Sequence, residues 1–214
     1  MKQILFLFFT CISLLSEAQT NYALSFNGSS QYVSIGSPIP SASSYTKEAW
    51  VYAYNGTGAQ NIISSNSAPF WINSGTLSAG QGGSFALVSS AAFPTNRWVH
   101  VAVTYDVGTA TMRLYRDGIL VSTATSVPAF TAEATFIASH QGATSFLVGL
   151  VDEVRIWTTA LSAENIKKNM FKGPPAGAAN LVSNFKFDDG SGTVLTNAAG
   201  GTNGTLQNGP TWVA

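Results

Sequence analysis

Three groups of side chains in this chain have the types and spacing to do chemistry. The first centres on Asp152, in an alternating run from Phe146 to Trp157. Its parity there is that of Phe146, Val148, Leu150, Val154 and Ile156, the apolar face of a strand. Burying an unpaired charge costs several kcal/mol, so a carboxylate facing a core needs a cation or several hydrogen-bond donors. Two readings stay open: a structural calcium ligand, or an acceptor of backbone N–H groups at the sheet rim. Glu153 and Arg155 fall on the opposite face two residues apart, the spacing of a solvated or cross-strand ion pair. Asp188 and Asp189, ahead of Gly190-Ser191-Gly192, suit either a cation or a polar turn that closes a strand. His100 sits mid-strand and His140 in a loop, and neither has the partners of a zinc signature.

The second group could hold a sugar. Sugars stack their C–H faces on aromatic rings, while Asn, Gln, Ser and Thr read the hydroxyls. Tyr54-Asn55-Gly56-Thr57 and the stretch from Asn66 to Asn73, with Phe70 and Trp71, offer both kinds of group. Tyr54 and Trp71 are the candidate platforms, with Asn55 and Asn73 as hydroxyl readers. Trp50, Trp98 and Trp157 lie inside strand patterns and read as packing. The third group, the acidic pairs, is a poor hydrolase. Retaining hydrolysis wants two carboxyls about 5 Å apart, and neighbours along a strand, such as Asp152 and Glu153, point to opposite faces.

The elements that must position these residues are mostly strands. Tyr22, Leu24 and Phe26 share one parity before Asn27-Gly28. Trp50, Tyr52 and Tyr54 alternate with Ala49, Val51 and Ala53. Val99, Val101, Val103 and Tyr105 oppose Trp98, His100, Ala102 and Thr104. Asp117-Gly118, between Arg113–Arg116 and Ile119–Ser122, predicts a type I′ hairpin. Further strands are expected at 146–157, 181–187 and 211–213. One helix is expected over 163–171, capped by Ser162, with Glu164 early, Lys167, Lys168 and Lys172 late, and Gly173-Pro174-Pro175 as the stop. No repeat recurs at 20–50 residues, which disfavours a propeller or solenoid.

Composition narrows the class. Lys2, the apolar run Ile4–Leu15 and Ser16-Glu17-Ala18 read as a secretory signal over 1–18, leaving a single domain over 19–214. The apolar run is too short to span a bilayer, so no membrane insertion is expected. The whole chain has ten acidic and ten basic side chains; losing Glu17 and Lys2 leaves it neutral. A neutral chain lacks the basic face that nucleic acid requires. Only 9% of residues are charged, against a usual ~25%, yet 45% are hydrophobic, so the chain folds. Its one cysteine, Cys11, falls inside the signal, so the mature domain has neither disulfides nor thiolate ligands.

Several stretches, taken in order, resemble the laminin-G-like jelly rolls of the concanavalin-A-like lectin/glucanase superfamily in its secreted bacterial form. They are Ala23–Gly28, Glu48–Val51, Arg97–Tyr105, Leu114–Gly118, Val151–Trp157 and Ala160–Ile166, followed by Phe185–Gly192 with Asn203–Leu206. The resemblance runs over roughly 22–213. It implies an all-β, two-sheet antiparallel jelly-roll sandwich with one short helix near 163–171. It also implies a calcium ion clipping the first strand to a late one, with Asp152 and Asn27 as ligands. The sequence departs from the family where Asn27 and Gln31 replace two aspartates, which weakens such a site. The superfamily's glucanases carry Glu, Asp and Glu at alternate positions, and no glutamate here begins that pattern, so no catalytic residues are expected. The expectation is a secreted or cell-surface, non-catalytic module for extracellular carbohydrate or glycoprotein. The alternative is a structural or adhesive protein-interaction domain, including an accessory part of a larger secreted or cell-surface protein. A groove with an exposed aromatic beside amides marks the first; a flat uncharged patch marks the second.

Overall fold

A computed structural model describes residues 21–214; the signal read at 1–18 lies outside them. The first part of the chain forms β1 (Ala23–Asn27), β2 (Tyr32–Ser34), β3 (Tyr45–Ala53), β4 (Ala59–Asn61), β5 (Ile63–Ser64) and β6 (Phe70–Asn73). Next come β7 (Thr76–Gln81), β8 (Ser84–Ala92), β9 (Trp98–Asp106), β10 (Thr111–Arg116), β11 (Ile119–Ala124) and β12 (Phe136–Ile137). The last part forms β13 (Val148–Trp157), α1 (Ala163–Lys172), β14 (Leu181–Phe185), β15 (Val194–Leu195), β16 (Gly204–Gln207) and β17 (Thr211–Val213). The expected strands and the single helix are all present. Ser162 Oγ accepts from Asn165 N at the helix start, and Gly173, at φ 64°, closes its end. Asp117 and Gly118 both take positive φ, as a type I′ turn needs.

Eight strands form one antiparallel sheet in the order β11-β10-β9-β3-β13-β1-β17, with β14 continuing beside β13 where β1 ends. Facing it are a five-stranded sheet, β15-β16-β2-β12-β5, and a four-stranded sheet, β4-β6-β7-β8. These two are stitched together where Ile62 N donates to Phe70 O. One continuous core lies between the layers. Phe26, Val51, Val101, Val151 and Ile156 from the large sheet meet Val33, Ile63, Phe70, Leu77 and Leu87 from the others. This is the two-layer antiparallel sandwich that the alternation pattern implied.

Two local features set up the site. At Gly149 an added Cβ would lie 2.2 Å from Tyr52 O, so only glycine lets β13 approach β3 here. Three residues later β13 bulges. Asp152 pairs with Trp50, but the next partners are Arg155 and Glu48, so β13 carries one residue more than β3, with Glu153 at φ 53°. A bulge shifts parity by one. Val151 and Val154 therefore both face the core, while Asp152 and Arg155 face outward. The expectation that Asp152 shares the core face of Val154 and Ile156 is corrected by this bulge. The expected solvated Glu153–Arg155 pair is corrected too: the two do pair, but Arg155 is buried on the outer face.

Candidate functional site

The outer face of the large sheet is where side chains converge. Helix α1 covers part of it, with Ile166 packed on Ala102 and Tyr115, and half-buried Leu161 against them. Trp50 Nε1 donates to Met170 O at 3.1 Å and ties the last turn of the helix to β3. Between that turn and the strands β1, β14 and β17 lies a cavity of about 670 Å³. That is the size range of small-ligand pockets.

Its rings are Tyr22, Trp50, Trp98 and Phe171. Trp98 is 36% and Phe171 76% exposed, so their faces are open to a ligand. Trp50 meets His100 edge-on and Phe171 at a tilt, with ring centres at 5.4 and 5.9 Å. Asn21 and Asn184 supply amides, and charged groups stand on several sides: Asp152, Glu153, Arg155, Lys172, Lys186 and Asp188. Asp152 Oδ1 accepts from Glu153 N at 2.7 Å, and its Oδ2 receives only a long bond, 3.4 Å, from Asn21 Nδ2. Burial pushes the Asp152 carboxyl from the usual 3.8 up to about 7, and the Glu153 and Asp188 charges push the same way.

Arg155 links the cavity to a buried polar cluster under α1. Its guanidinium pairs with Glu153 and lies 3.8 Å from Glu48 Oε1, and Nη1 donates to Asn169 O at 3.4 Å. Glu48 Oε1 also accepts from Trp157 Nε1 at 3.0 Å. Burial raises the Glu48 carboxyl, and Arg155 opposes it. Burial first, and the Arg155 charge second, hold His100 down at about 3. His100 is therefore neutral, and its 3.6 Å approach to Glu48 Oε2 is too long for a hydrogen bond. The structural role expected of His100 fits this burial.

The residues singled out from sequence do not form one site. Asn27 Oδ1 accepts from Ser29 N at 2.9 Å and Ser30 N at 3.1 Å, capping the turn after β1. Asn27 pairs with Val148, four residues along β13 from Asp152, a separation of about 13 Å at strand rise. The joint calcium site expected of Asp152 and Asn27 is therefore not assembled. Both carry other hydrogen bonds, and among the described residues no three or more His, Cys, Asp or Glu side chains cluster as metal ligands. Tyr54 stands on the outer face of β3 beyond Tyr52, with rings 5.8 Å apart, outside the cavity. Asn55 Oδ1 is spent on Thr57 and Gln60. Trp71 and Asn73 lie on β6, whose alternate residues Phe70 and Ile72 face the core, so they look out from the opposite layer.

Sequence reasoning missed Trp50 and Trp98, assigned to packing, as cavity walls. For Trp50 the signal was its shared parity with Tyr52 and Tyr54; for Trp98 it was not in the sequence, since its direct pairing with Tyr52 is seen only in the fold. Trp157, 4% exposed, does pack as expected. The statement that Asp152 and Glu153 point apart is also overturned. The positive φ at Glu153 brings both to the same cavity.

Fold and site together define a two-layer β-sandwich with a ligand-sized cavity on the outer face of its large sheet. A family model described as the concanavalin A-like lectin/glucanases superfamily, of the laminin-G type, matches residues 27–167, and the chain belongs to that family. Among solved structures, a Bacteroides ovatus protein described provisionally as carbohydrate-binding is 24% identical, with a TM-score of 0.77. The match covers 92% of this chain but only 60% of that one. A heptameric SAP-like pentraxin from Limulus polyphemus is 14% identical over 92% of this chain and 96% of its own, with a TM-score of 0.66. A domain of an extracellular arabinanase from Geobacillus stearothermophilus, solved with arabinotriose, is 23% identical with a TM-score of 0.51, covering 68% of this chain and 75% of that one. At these identities the likeness establishes the fold. A search of curated proteins finds no match to the chain.

Proposed function

We propose that the chain is an exported, non-catalytic carbohydrate-binding module and that the outer-face cavity is its binding site. The observation that carries this is the set of open rings, Trp98 and Phe171 with Trp50 between α1 and β3, beside Asn21, Asn184 and Asp152 in one 670 Å³ space. Rings supply apolar area to a sugar's C–H face, and the amides and carboxylate fix its hydroxyls. The match to only 60% of the Bacteroides ovatus chain favours a module that works within, or alongside, a larger secreted protein. A non-catalytic role is supported by the commitments of the carboxylates. Glu153 is tied to Arg155, and Glu48 is buried beneath it.

The purified protein is screened on a glycan array, and the strongest ligand is titrated calorimetrically against the wild type and Trp98→Ala. Removing one stacked ring is expected to weaken binding roughly ten-fold, about 1.4 kcal/mol. The ligand is expected to be recovered uncleaved after prolonged incubation. A Trp98→Ala variant with unchanged affinity places the sugar elsewhere, and release of shorter glycans overturns the non-catalytic reading.

A further inference from the structure

The opposite face of the sandwich has a different chemistry. From Ala49 to Asn96 the sequence contains no Asp, Glu, Lys, Arg or His. The four-stranded sheet β4-β6-β7-β8 lies wholly within that stretch. Charged groups reach only its borders, and those are spent on backbone: Arg116 Nη1 donates to Ala92 O at 2.9 Å, and Glu133 Oε2 accepts from Ser67 N at 2.8 Å. Surfaces are normally where charge collects; an uncharged face suits an uncharged occupant, protein or neutral glycan, and an exposed ring beside an amide favours the glycan.

The side chains on this face give that occupant its chemistry. Trp71 stands half-exposed mid-face, braced edge-on by Phe85 with ring centres 6.1 Å apart and planes at 78°. Phe85 is 52% and Val88 47% exposed. Asn73 and Thr76 continue the face beyond Trp71. A braced ring loses little rotamer freedom on binding, and small hydroxyl and amide groups around it can meet sugar hydroxyls without a charge to desolvate.

We propose that this face is a second carbohydrate-binding surface, selective for neutral glycan chains and independent of the cavity. The two surfaces lie on opposite layers of the sandwich, so one molecule can hold two glycan segments at once. Charges surround the cavity and none stands on this face, so the two sites respond differently to salt.

Native gels cast with neutral polysaccharides (hydroxyethylcellulose, glucomannan, linear arabinan) or anionic polygalacturonate separate the two sites. The wild type, Trp71→Ala, Trp98→Ala and the double variant are run with and without 0.5 M NaCl. At least one neutral polysaccharide is expected to retard the wild type. Trp98→Ala is expected to keep a retardation that salt does not change, Trp71→Ala to lose at least five-fold of the neutral-glycan affinity, and the double variant to migrate freely. Phe85→Ser, at a more exposed position, replaces Trp71→Ala if that variant fails to fold. The proposal is overturned if no neutral polysaccharide retards the protein, or if the Trp71 change leaves every mobility unaltered. It is also overturned if sedimentation shows a dimer that the Trp71 change dissolves, because a second copy then occupies the face.

Discussion

Replacing Asp152 by Asn tests how the site is built, because the change keeps the shape and removes the titration. In the fold the carboxyl is raised from 3.8 to about 7, chiefly by burial. A gap of about three pKa units corresponds to about 4 kcal/mol of preference for the neutral acid. Asp152 is 7% exposed, so solvent screening removes little of that. The folded value lies above the unfolded one. Its contribution to stability is therefore fully present below about pH 4 and is lost as pH rises through about 7. Wild type and Asp152→Asn should have similar melting temperatures at pH 4, and at pH 8 the wild type should melt roughly 10 °C lower. The assay is thermal unfolding of both proteins at four pH values from 4 to 8. Parallel curves refute the desolvated carboxyl. A wild type that gains on the variant as pH rises refutes it more sharply, since that is the behaviour of a carboxylate favoured in its charged form by a cation or by hydrogen-bond donors.

Two further outcomes follow from the buried charges. Lys47 points into the core, with Nζ 2.9 Å from Ala68 O, and burial pushes it from 10.5 down to about 7, against the Glu133 charge. The unfolded chain then binds more protons between these values, so wild-type stability should rise by about 3 kcal/mol from pH 7 to pH 9.5. In Lys47→Met this rise should vanish; chemical denaturation at both pH values measures it, and equal slopes would count against a desolvated lysine. Glu48→Ala should cost about 3 kcal/mol, because it removes one of the two carboxylates around the buried Arg155 charge. A denaturation midpoint within error of the wild type would show that Glu153 alone satisfies Arg155.

How legible the site was depended on how local its determinants are. The aromatic alternation of Trp50, Tyr52 and Tyr54 placed these rings on one face, and that face is the outer one. What misled was an unbroken count along β13. Parity counting assumes two residues per repeat, and the extra residue at Glu153 violates it without any glycine or proline to announce it. Tyr54 and Asn55 lie just beyond the end of β3, and Trp71 and Asn73 lie within β6. Whether they face one another depends on which layer each strand joins, and that is a long-range matter.

The sequence by itself determined the elements and the class. Period-two alternation, Asp117-Gly118, and the Ser162 and Gly173 caps act over a few residues, so strands, hairpin and helix could be read in place. The family motifs, in order, carried that to a jelly-roll sandwich. Only the tertiary structure decided the site. Its walls come from the strands β1, β3, β9, β13, β14 and β17, the end of α1 and the residues that follow β14, which are far apart in the chain. The bulge that turns Asp152 outward is recorded only in the pairing of β13 with β3. Pairing register is a contest among distant strands for the best burial, so no local pattern states its result.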